Sequence, residues 1–74
     1  MMVEVFKTNV DDRDRALWLI EQIQDSFCNY IASFDLEDCD RILVVRCASG
    51  IIQASQVIEL LRKHNYVAEV LADE

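Results

Sequence analysis

Residues 41–47 read Arg41-Ile42-Leu43-Val44-Val45-Arg46-Cys47. Four apolar side chains run on without polar alternation. A strand covered on both faces reads this way, so the run predicts a central strand. Immediately before it, Glu37-Asp38-Cys39-Asp40 is polar and short enough for a hairpin turn. Across that turn, Asn29 to Leu36 (NYIASFDL) alternates. Tyr30, Ala32, Phe34 and Leu36 share one face, and Ser33 and Asp35 share the other. The middle of the chain is therefore a β-hairpin.

Downstream, Ala48-Ser49-Gly50 holds the single Gly and marks a loop. From about Gln53 to His64, Ala54, Val57, Ile58 and Leu61 recur at helical spacing. Arg62, Lys63 and His64 suit the negative end of that helix's dipole, and Asn65 suits a left-handed cap. Tyr66 to Leu71 (YVAEVL) then reads as a strand, followed by the acidic Asp73-Glu74.

Upstream, Val3 to Asn9 (VEVFKTN) reads as the first strand. Ala16, Leu19, Ile20, Ile23 and Phe27 form one stripe on a helix from about Asp12 to Ser26, with Trp18 covering its flank. The order is thus βαββαβ. Right-handed crossovers turn that order into an α+β, ferredoxin-like two-layer sandwich. It has a four-stranded antiparallel sheet, order 4-1-3-2, with both helices on one face.

Seventy-four residues fit a single domain, 1–74, since so short a chain has no room for two cores. Apolar residues at 53% exclude a disordered chain. A formal charge of -7 argues against a nucleic-acid partner, which needs clustered basic residues. No apolar run reaches the length of a membrane span, and MMVEVFKTNV lacks the pattern of a signal peptide. A cytoplasmic location with reduced thiols is the expectation.

With these elements in place, the chain resembles a heavy-metal-associated domain, the family of metallochaperones and metal-pump modules. The likeness rests on element order and size, on the β1-loop-helix junction at Val10, on Ile20-Glu21, and on His64-Asn65-Tyr66. The family's metal loop is Met-x-Cys-x-x-Cys, two soft sulfur donors suited to Cu(I). Here the stretch is Val10-Asp11-Asp12-Arg13-Asp14-Arg15. Val10 takes the Met position, and Asp12 and Arg15 take the Cys positions. A shift of one residue puts Arg13 and Ala16 there instead. Neither register supplies a thiol, and an Arg sets positive charge where a cation would bind. The resemblance therefore implies a degenerate branch that has lost the metal loop.

Asp11, Asp12 and Asp14 are oxygen donors of the kind Ca²⁺ takes, but they equally cap a helix start, and two Arg interrupt them. Cys39 and Cys47 lie about 26 Å apart along one strand at about 3.3 Å per residue, too far to share an ion. If facing residues of the hairpin sum to about 77, Cys28 comes near Cys47, and a two-thiol site becomes conceivable. The competing expectation is buried, inert thiols. No nucleophile relay, phosphate loop or acid-base pair presents itself, so neither catalysis nor a cofactor is expected.

In the family register Lys7 replaces an apolar side chain on the helix-facing side of the first strand. It is expected to pair with an Asp of the following loop or to contact an anion. Phe6, with β-branched residues, is expected on the uncovered sheet face, a surface for a protein partner or for self-association. Strand addition at an edge is a second route to a partner. The function expected is a non-enzymatic interaction or regulatory domain. The alternative is a residual metal carrier using Cys28 with Cys47, or the Asp11–Asp14 loop.

Overall fold

The computed structural model describes residues 2–37 and 39–71. Asp38 of the expected hairpin turn and the acidic pair Asp73-Glu74 lie outside the described residues. Six elements follow in the expected order: β1 (Met2–Thr8), α1 (Arg13–Ser26), β2 (Tyr30–Asp35), β3 (Ile42–Cys47), α2 (Ala54–Lys63) and β4 (Ala68–Val70). The four strands form one antiparallel sheet in the order β2-β3-β1-β4, the expected ferredoxin-like arrangement.

Local chemistry sets the ends of the helices. The Asp12 carboxylate accepts hydrogen bonds from the backbone N–H of Asp14 at 2.8 Å and Arg15 at 3.4 Å, which caps α1. Such a cap contributes about 1 kcal/mol. Helix α2 starts at Gln53 without a side-chain cap of its own. Instead the Tyr30 hydroxyl, reaching over from β2, accepts from the Gln53 N–H at 2.7 Å. At the other end Asn65 takes φ 70, and the N–H groups of Asn65 and Tyr66 donate to Arg62 and Leu61. These two bonds make a Schellman closure, which Asn tolerates because its left-handed conformation is less strained than that of most residues.

The core lies between the helices and one face of the sheet. Phe6, Leu43 and Val45 from the central strands meet Leu19 and Ile23 of α1 and Val57 and Leu61 of α2. Tyr30, Ala32 and Cys47 extend it toward the β2 side. The one buried polar side chain among the described residues, Thr8, donates to the Arg41 carbonyl at 2.7 Å and accepts from the Val10 N–H at 3.2 Å.

The unbroken run of β3 has a different cause from the one expected. The strand is central in sheet order, yet both helices cover the same face. Leu43 and Val45 are buried, while Ile42 and Val44 are only half-buried on the opposite face.

Candidate functional site

Sheet register places the side chains of the helix-free face row by row. Ile31, Arg46 and Val3 lie abreast across β2, β3 and β1. Ser33, Val44 and Val5 form the next row, and Asp35, Ile42, Lys7 and Glu69 the third. Leu71 continues beyond β4, its N–H donating to the Val5 carbonyl at 2.8 Å. The result is a contiguous apolar patch of Val3, Val5, Ile31, Ile42, Val44 and Leu71. Val3 is 46% exposed and Ile31 63%. Contiguous apolar area on a sheet face is the kind of surface that marks an interaction site.

The patch carries charges of both signs. Its rows hold Lys7 and Arg46 against Asp35 and Glu69, with Asp40 beside Lys7 at the rim, on a chain whose formal charge is -7. Acidic side chains concentrate elsewhere, at the start of α1 and beyond.

Two expectations about this face are corrected. Phe6 is fully buried, on the helix side opposite Leu43, and is not part of the open face. Lys7 is exposed on the open face, not turned toward the helices. Strand alternation forces the two assignments together, because neighbours along a strand point to opposite faces. The aromatic ring goes where it can be covered, and the ammonium stays in water. Lys7 Nζ lies 3.9 Å from Asp40 in the hairpin, rather than pairing with the Asp residues before α1. Both partners are about half exposed, so the pair contributes little to stability.

The edge of β2 is less open to strand addition than the sequence implies. The Ala32 N–H, on the side away from β3, is taken by the Gln24 side chain of α1 at 3.1 Å. The Tyr30 N–H donates to the Phe27 carbonyl at 2.9 Å. Filled donors make an edge a poor template for another strand. Next to this edge, α1 and β2 bound a groove of about 370 Å³, lined by Leu17, Ile20, Phe34 and Leu36 among others.

The candidate metal residues differ in exposure and in what they already bind. Asp12 is engaged as the helix cap, while Asp11 and Asp14 are exposed. Facing residues of the hairpin do sum to 77, but the residue opposite Cys47 is Tyr30. Cys47 is buried and Cys28 is exposed at the helix-strand junction. Cys39 is also exposed, so the expectation of uniformly buried thiols fails for two of the three. Among the described residues no group of three or more His, Cys, Asp or Glu is placed to hold a metal ion.

Beside the start of α1 the structure builds a cluster that the sequence did not disclose. The Arg15 guanidinium lies 4.6 Å from the centre of the Trp18 ring and 5.9 Å from that of Tyr66. Trp18 in turn meets His64 edge-on at 4.6 Å. Arg15 and Trp18 at i and i+3 are neighbours on a helix, a signal present in the sequence. Tyr66 and His64 join them only through the fold. Ile31 and Arg46 of the open face were also missed, although the 77 sum pairs them.

No family model, curated protein or solved structure matches the chain. Among the described residues no helix is long and apolar enough to cross a membrane.

Proposed function

We propose that this chain is a non-enzymatic protein-interaction domain that docks its partner on the open face of the sheet. The observation that carries this reading is the patch around Val44 and Val5, apolar at its centre with charges of both signs at its rim, on an acidic molecule. A catalytic site would call for convergent titratable groups in a cleft. The charged groups of this face sit at its rim rows, around an apolar centre.

The frame itself is proposed to be that of a heavy-metal-associated domain whose loop no longer takes metal. Ala16 is buried against the core, whereas Asp12 and Arg15 are exposed at the start of α1. That favours the register in which Asp12 and Arg15 stand at the Cys positions. A guanidinium at one of these positions repels a cation. Residual metal carriage through Cys28 and Cys47 draws less support, because one thiol is exposed and the other lies in the core.

The test is a photoreactive amino acid placed at position 44 in the full chain and irradiated in the cells of its source. A discrete covalent adduct is expected, and it should be absent when the same group sits at Glu21 on the helix side. Equal labelling from both positions, or no adduct from position 44, would sink the reading.

A further inference from the structure

We propose that the occupant of the open face is a second copy of this chain, packed sheet to sheet about a two-fold axis that runs across the strands. The proposal rests on the interaction reading above and specifies its partner.

Area is the first support. The molecule is a slab of 31 × 30 × 18 Å. The broad side of such a slab is at most about 900 Å², enough to hold the roughly 800 Å² per partner of a standard stable interface. A two-layer fold that sets a second sheet against its bare face becomes a four-layer stack. The apolar rows then meet at the spacing of a β-sandwich, about 10 Å.

Charge is the second. Two molecules of -7 repel through most of their surface. The three rows of the open face carry two cations and two anions, with Asp40 beyond them beside Lys7, so this face meets its own copy with less repulsion than an all-acidic surface would.

Register then selects the axis. A two-fold axis parallel to the strands sets β2 of one copy over β4 of the other. Asp35 would then face Glu69, and Arg46 would meet no acid. An axis across the strands sets β3 over β3 in opposite directions. Arg46 in the first row then lies over Ile42 in the third row of the second copy, between its Asp35 and its Lys7, and the same arrangement forms again by symmetry. Asp40, 3.9 Å from Lys7, offsets that like charge and leaves Asp35 as the acid Arg46 can pair with. The middle row, Ser33, Val44 and Val5, falls next to the axis, where each Val44 meets the other copy's Val44.

Sedimentation equilibrium of the full chain across micromolar to millimolar concentrations tests this. A reversible monomer-dimer equilibrium is expected. Val44→Glu should raise its dissociation constant at least about tenfold, because two carboxylates then meet at the axis in a desolvated seam. Circular dichroism of that variant should stay native, since Val44 lies outside the core. Arg46→Asp and Asp35→Arg should each weaken the dimer, and the double variant should recover it. A wild-type chain that stays monomeric to millimolar concentration, or a dimer indifferent to Val44→Glu, overturns the proposal. Failure of the double variant to recover overturns the chosen axis. The position-44 adduct separates the two readings: twice the chain mass supports the second copy. Any other mass overturns the second copy and leaves the interaction domain standing, while no adduct overturns both.

Discussion

Arg15 donates a hydrogen bond from Nε to the Tyr66 hydroxyl at 3.2 Å, joining residues 51 positions apart in the chain. The same guanidinium stacks on Trp18, and Trp18 leans on His64 at the end of α2. One cation thus ties the first turn of α1 to the segment that follows α2. The cluster is partly in water, so its contribution is modest, about 0.5–1 kcal/mol for a contact of this kind.

Arg15→Ala should therefore lower stability by about 1 kcal/mol and change the fluorescence of Trp18, the only Trp in the chain. Arg15→Lys should recover less than the full effect, because an ammonium lacks the planar stacking surface. Urea unfolding followed by tryptophan emission reads both quantities. An unchanged spectrum for Arg15→Ala would show that the cation does not sit on the ring in solution.

If the frame is that of a metal carrier, thiols restored to the loop should restore metal. Asp12→Cys combined with Arg15→Cys is expected to bind Cu(I) stoichiometrically under anaerobic conditions, and the native chain is expected not to. Competition against a colorimetric Cu(I) chelator measures it. A double variant that folds yet gains no Cu(I) affinity would count against the heavy-metal-associated reading of the loop.

Phe6 and Lys7 are adjacent, and their truncations should differ sharply. Phe6→Ala removes a fully buried ring from the centre of the core and should cost about 3–5 kcal/mol. Lys7→Ala breaks only a surface pair and should cost less than about 1 kcal/mol. The pair of unfolding curves checks which face of β1 turns inward. Comparable losses would contradict the assignment.

The three thiols should separate into two classes. Cys28 and Cys39 are exposed and should react with a chromogenic disulfide reagent in the native state. Cys47 is 2% exposed and should react only on unfolding. Titration of all three at the same rate without denaturant would show that the end of β3 opens far more readily than its packing implies.

Much of this architecture was written locally. The apolar stripe of α1, the cap at Asp12, the left-handed Asn65 and the hairpin sum of 77 all depend on residues close in sequence. Backbone sterics and hydrogen bonds act over such short spans whatever the rest of the chain does. Element order then limited the topology to very few choices, and the observed sheet order is the expected one.

What the sequence alone determined is therefore the frame: six elements, their order, and the absence of thiols from the loop after β1. The tertiary structure decided the phase. Alternation along β1 divides its side chains into two sets but does not say which set faces the helices. Val3 and Val5 in one set and Phe6 in the other make both plausible. Pairing opposite Leu43 under the helices buries the larger ring, and that single choice turns Lys7, Val5 and Val3 outward. The open face, its rim of mixed charge and the Arg15 cluster all arise from residues distant in sequence, which only packing brings together.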